Sequence, residues 1–143
     1  MKAVLVTDDK QLQDAFSVRK EVFIHEQHVP EEEEIDHHEG EATHIVLYDN
    51  NTPVGAGRFR IVDGKGKVER ICVLQSHRGR GAGKMIMDAV HDEAAKHGVQ
   101  KLVLNAQTHA IPFYERLGYL ITSAEFLDAG IPHKSMEIIQ EAK

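Results

Sequence analysis

The sequence predicts a mixed α/β fold of the α+β kind: a mixed, mostly antiparallel sheet with a central parallel strand pair and flanking helices. Three observations carry this. Strand-like runs at 43–49, 54–62 and 67–74 follow one another through turns, which is the pattern of an antiparallel meander. The third run passes through a glycine-rich loop into a helical pattern and then into the apolar stretch 101–106. A strand–helix–strand unit of that kind returns by a right-handed crossover to a parallel partner. More strand-like sequence follows, so the chain is not a repeated βαβ array.

Each element has a local reason. Residues 3–6 are a short apolar strand, and Thr7, Asp8 or Asp9 can cap the helix after it. Leu12, Ala15, Phe16, Val22 and Phe23 recur near the helical period, and the helix should end before Pro30. Residues 31–39 are strongly acidic and partly helical at most. Asn50-Asn51-Thr52-Pro53 and Asp63-Gly64-Lys65-Gly66 are turn sequences bracketing the strand 54–62. After the glycine loop, Met85, Ile86, Ala89, Val90 and Ala94 give a helix one apolar face, and Gly98 stops it. Residues 111–117 form a short helix with Pro112 in its first turn. Residues 119–126 and 134–139 read as two final strands joined by 127–133.

The chain of 143 residues suits a single domain with a sizeable core. Its apolar content is 41% and its charged content 28%, ordinary for a soluble globular protein. The net charge of -6 argues against a nucleic-acid binder. The lone Cys72 cannot form an intrachain disulfide, which fits a reducing, cytoplasmic setting. No apolar run has the length of a signal peptide core or a membrane span, so no membrane partner is expected.

The chemistry begins at Arg78-Gly79-Arg80-Gly81-Ala82-Gly83-Lys84. Glycines on alternate positions leave the backbone bare at the start of a helix, where N–H groups are unpaired and the helix dipole is positive. With two arginines and a lysine this is an anion site suited to a pyrophosphate. The P-loop pattern fails, because Arg78 and Met85 stand where glycine and Ser or Thr are needed. The dinucleotide pattern fails at Lys84. What fits is R-x-x-G-x-G, as Arg78, Gly81 and Gly83. This resembles the coenzyme A pyrophosphate loop of the GNAT-type N-acetyltransferases. A second motif supports it, Asn105-Ala106-Gln107 followed by Ile111-Pro112-Phe113-Tyr114-Glu115-Arg116-Leu117-Gly118-Tyr119. The segments VRKEVFIHEQHVPEEEEID and AGIPHKSM are similar to the small bacterial ElaA-like subgroup. The element order resembles the GNAT fold over essentially the whole chain.

The resemblance implies transfer of an acetyl group from acetyl-CoA to a primary amine of a small-molecule or peptide acceptor, by direct attack on the thioester. It implies that Arg78, Gly79, Arg80, Gly81, Ala82, Gly83 and Lys84 bind the pyrophosphate. It implies that two parallel strands splay so that Ile71, Cys72 and Val73, with residues 104–106, hold the pantetheine arm beside Asn105 and Phe113. An N–H near Val73 would point at the thioester oxygen, and one such donor is worth about 10²–10³ in rate. Tyr114 is the candidate acid for the departing thiolate, since a phenol of pKa about 10 keeps its proton at neutral pH; a tyrosine merely packed on the sheet is the other reading. Asn105 is either a cofactor contact or a strand-end cap. A homodimer is common in the family. A non-catalytic acyl-CoA-binding sensor would use the same loop.

Glu69 is the candidate base. Strand alternation puts Glu69, Ile71 and Val73 on one face and Arg70, Cys72 and Leu74 on the other. An outward Glu69 paired to a neighbouring strand is the competing reading. Cys72 has no neighbouring base in sequence to make it a nucleophile. His25, His28, His37 and His38 lack zinc-type spacing, so no metal is expected. The acidic segment 31–39 reads as solvated, in the region where the family recognises acceptors and where carboxylates favour a cationic amine. His133 either faces that cleft or is an exposed loop residue.

Overall fold

The computed structural model describes residues 1–140. The elements in order are β1 (Lys2–Leu5), α1 (Asp9–Arg19), a π-helical stretch Lys20–Glu26, α2 (Glu31–Glu34), β2 (Thr43–Asp49), β3 (Thr52–Val62) and β4 (Lys65–Val73). Then come α3 (Ala82–Lys96), β5 (Lys101–Gln107), α4 (Ile111–Arg116), β6 (Leu120–Ile121), β7 (Phe126–Asp128) and β8 (Ile131–Ile139). Asp8 caps α1 by accepting from the Gln11 N–H at 2.8 Å.

The strands form one sheet in the order β1-β2-β3-β4-β5-β8-β6, with β7 pairing to β8. β4 and β5 are parallel and the other pairs antiparallel, as the crossover through α3 requires. Both faces carry a core. On one, α3 and α4 cover Phe59, Val68, Leu102, Leu104 and Met136. On the other, Ala15, Val18 and Val22 cover Val46, Ala56 and Cys72. No helix among the described residues is long and apolar enough to cross a membrane.

The C-terminal strands differ from expectation. The strand read at 119–126 is two short pieces, β6 and β7, and β8 begins at Ile131 rather than 134. β7 and β8 form a tight hairpin through Ala129 and Gly130, both at positive φ. The apolar, β-branched tail of the sequence hid that hairpin, because Ala-Gly is a weak turn signal.

The strand alternation expected for β4 is also overturned. Arg58 pairs with Glu69 and Ala56 with Cys72, so Gly57 alone opposes both Arg70 and Ile71. This is a β-bulge, with Arg70 at φ 61. The extra residue reverses the alternation beyond it. Glu69 and Cys72 share the α1 face, while Ile71 and Val73 pack toward α3. Gly57 is needed here: a Cβ would lie 2.5 Å from Ile71 Cδ1 and 3.0 Å from Ile86 Cγ2.

Candidate active site

Parallel pairing between β4 and β5 is confined to Gly66–Leu102, Lys67–Val103 and Val68–Leu104. Beyond Val68 the bulge turns β4 away, and the gap becomes a cavity of about 470 Å³ whose walls include Ile71, Val73, Asn105 and Gln107. The N–H of Leu74 donates to Val54 O at 2.8 Å, and Val73 sits opposite Gly55. Alternation along an antiparallel pair therefore turns the N–H of Val73 away from β3, into the gap.

The glycine loop follows β4, and its first residue, Arg78, lines the cavity. Gly79 and Gly81 have φ of +75° and +79°, and a Cβ on either would meet nothing within 4 Å, so the backbone there is open to a ligand. Gly81 is the N-cap of the 15-residue α3. Gly83 has a different duty: a Cβ would lie 3.0 Å from the Phe113 ring, so its bareness lets α4 pack on α3. Lys84 reaches Asp88 at 2.8 Å and is mostly exposed, as is Arg80. Arg78 is not free. Its guanidinium donates to both Glu26 oxygens, at 2.7 and 2.5 Å, and its Nε to Val73 O at 3.0 Å. Nothing in the sequence marked Glu26 as its partner, 52 residues away.

Tyr114 lines the cavity and is buried, and among the described residues its hydroxyl has no hydrogen-bond partner. Burial raises its pKa above the ordinary phenol value, with a smaller push from Cys72. It therefore holds its proton at neutral pH. Cys72 lines the same cavity and is buried, and burial pushes its thiol up to about 12, so it carries no thiolate to act as a nucleophile. Asn105 Oδ1 accepts from Ser135 Oγ at 2.8 Å, tying β5 to β8 at the cavity edge.

Glu69 also lines the cavity, but it is occupied. Its carboxylate takes Arg60 Nε at 2.8 Å and Arg58 Nη2 at 3.1 Å. Burial alone would raise its pKa; the hydrogen bond from Arg60 and the charge of Arg58 outweigh this and hold it low. A carboxylate held so firmly in its charged form is a weak proton acceptor.

The acidic segment is not the solvated run expected of it. Glu34 is 1% exposed and takes Arg19 Nε at 2.8 Å. Glu39 takes Arg19 Nη1 and Nη2 at 2.9 and 2.6 Å, and Arg58 Nη1 at 2.7 Å. Asp36 is held by Arg58 through two bonds of 2.9 and 2.8 Å. These carboxylates anchor the segment to the sheet. Charge open to the cavity comes instead from Glu33 and Asp128, both exposed.

His133 is not an exposed loop residue. It lies on β8, is 8% exposed, and lines the cavity. Two cavity residues that sequence reasoning missed as a pair are Gln27 and Gln107, joined across the mouth by a bond of 2.8 Å. Among the described residues, no group of three or more His, Cys, Asp or Glu is placed to hold a metal.

A family model described as "Acetyltransferase (GNAT) domain" matches residues 6–140. The chain belongs to the GNAT acetyltransferase family. It is 58% identical over 137 residues to the Bacillus subtilis (strain 168) protein named "Uncharacterized N-acetyltransferase YjcF", covering 95% of this chain and 98% of that one. The fold of this GNAT protein superposes on Escherichia coli ElaA with a TM-score of 0.85 at 23% identity, covering 98% and 99% of the two chains. It also superposes on an aminoglycoside 6'-N-acetyltransferase complexed with coenzyme A, with a TM-score of 0.77 at 15% identity and 97% coverage of both. The GNAT assignment makes the chain an acetyltransferase enzyme.

Proposed function

We propose that this enzyme moves an acetyl group from acetyl-CoA to a primary amine of a small-molecule or peptide acceptor, by direct attack on the thioester. The observation that carries the reading is the gap between β4 and β5, with the unpaired Val73 N–H inside it and the glycine loop following β4. Gly79, Gly81 and the first turn of α3 offer bare N–H groups to a pyrophosphate, with Arg78, Arg80 and Lys84 supplying charge. Ile71, Cys72 and Val73 on one side and Asn105 on the other give the pantetheine arm strand edges to bond. Val73 N–H donates to the thioester oxygen as charge develops on it. Tyr114, protonated and without a partner, gives its proton to the departing sulfur. Cys72 contributes backbone, not a nucleophile.

Two measurements test this. Thermal unfolding should shift upward with acetyl-CoA and with CoA, not with ATP, and the shift should vanish in Gly81→Asp. Tyr114→Phe should lower kcat by about 10²-fold or more while the CoA-induced shift persists. If no shift occurs at saturating acetyl-CoA, the donor assignment is wrong. If Tyr114→Phe turns over a panel of amines at the wild-type rate and pH profile, the tyrosine is only packing.

A further inference from the structure

Attack by an amine needs somewhere for the amine proton to go, and Glu69 is tied to Arg58 and Arg60. The cavity holds another candidate. His133 is more than nine-tenths buried and lines the cavity. Its Nδ1 lies 2.6 Å from the carbonyl oxygen of Ile131. A carbonyl oxygen only accepts, so Nδ1 must be the donor and carry the ring proton. In the neutral ring that leaves the lone pair on Nε2. Among the described residues Nε2 has no hydrogen-bond partner. The ring is held in orientation by stacking on Phe126, with centroids 6.0 Å apart and planes at 22°.

The face of the sheet is also right. His133 sits directly opposite Gln107 in the β5–β8 register, so the two side chains share a face. Gln107 bonds to Gln27 at the end of the π-helical stretch, which places that face on the α1 side. Tyr114 belongs to the core on the other face, with Leu104 and Ala106. An acid on one side of the gap and a base on the other is the arrangement a direct transfer needs.

We propose that His133 is the general base of the reaction, taking the proton of the acceptor nitrogen on Nε2. This rests on the acetyl-transfer reading above. As the N–C bond forms and the C–S bond breaks, the acceptor nitrogen gives its proton to His133 and sulfur receives one from Tyr114. His133 then releases a proton to water and Tyr114 takes one back, which closes the cycle. The Ile131 carbonyl accepts from Nδ1–H throughout and steadies the positive charge on the ring. The other charged or titratable groups lining the same cavity are Glu26 paired to Arg78, Glu33 and Glu34 on α2, Lys67, Glu69 and Arg70 on β4, His109 after β5 and Asp128 on β7. The exposed carboxylates Glu33 and Asp128 favour a positively charged acceptor near the imidazole.

The test combines a variant with a measurement on the unaltered protein. His133→Gln keeps a polar side chain of similar reach and removes the titrating ring. Its kcat with amine acceptors should fall by about 10²–10⁴-fold, the acid-side limb of its pH profile should disappear, and acetyl-CoA should still raise its unfolding temperature. Added imidazole should restore part of the rate of His133→Ala. Long-range ¹H–¹⁵N correlation spectra of the wild type should show the proton of His133 on Nδ1. A proton on Nε2 overturns the proposal, and so does a His133→Gln rate and pH profile equal to wild type. If acetyl-CoA stabilises both proteins and the rates match, His133 alone is removed from the scheme. If acetyl-CoA stabilises neither, the acetyl-transfer reading falls and takes the base with it.

Discussion

Glu39 should be worth about 3 kcal/mol of folding stability, although it lies in what reads as a surface charge run. Its carboxylate sits between Arg19 and Arg58, with bonds of 2.6 to 2.9 Å to both, and its side chain is 12% exposed. Burial would raise its pKa, but the two guanidinium groups lower it from 4.5 to about 2. That displacement corresponds to about 3 kcal/mol. Because the folded value lies below the unfolded one, the stabilisation is complete above about pH 4.5 and is lost as pH falls toward 2. Asp36 and Glu69 are depressed by the same arginines and titrate in the same direction. Glu39→Gln keeps the shape and removes the charge, leaving two buried arginines each short of a partner. Such losses cost about 3–5 kcal/mol. Urea unfolding of both proteins at pH 7 and pH 3 measures the gap. It should be about 3 kcal/mol at pH 7, with more than half of it gone by pH 3. A gap below about 1 kcal/mol at pH 7, or one that does not change with pH, would refute the reasoning.

Three further outcomes follow from the geometry. Gly57→Ala forces a methyl against Ile71 and Ile86, and should cost about 1–3 kcal/mol in urea unfolding while weakening acetyl-CoA binding through the displaced bulge. Glu26→Gln removes the charge that holds Arg78; the pair is more than a third exposed, so the gain in CoA affinity by calorimetry should be at most about fivefold, and a loss of affinity would mean that the contact preorganises the loop instead. Cys72→Ala should keep its turnover, and wild-type Cys72 should react only slowly with iodoacetamide at pH 7.5, because burial keeps the thiol protonated; rapid inactivation matched by rapid labelling would contradict this.

Features that depend on neighbours in the chain were legible in the sequence. The glycine spacing at Gly79, Gly81 and Gly83 announced a bare loop, and the apolar face from Met85 to Ala94 announced the helix behind it. Together they fixed a crossover, and hence a parallel pair between β4 and β5, because handedness and connection length leave few alternatives. The motif at Phe113 and Tyr114 placed a phenol near that pair.

What the tertiary structure decided depends on partners far away in the chain. The bulge at Arg70 is a matter of register against Gly57, and a one-residue slip moves every later side chain to the other face. No periodicity within β4 shows it, so alternation alone puts Glu69 and Val73 on a common face that they do not share. Glu34, Asp36 and Glu39 look solvated as a run of charges, but their partners Arg19 and Arg58 come from α1 and β3. His133 is a mixed case: the carbonyl beside its Nδ1 belongs to Ile131, two residues back, but the cavity it lines is built by elements far away in the chain. A histidine in a sequence has two equivalent prospects for its proton. The fold sets Nδ1 against the Ile131 carbonyl and puts the ring in the cavity wall, because a cavity is assembled by position in space rather than by position in the chain.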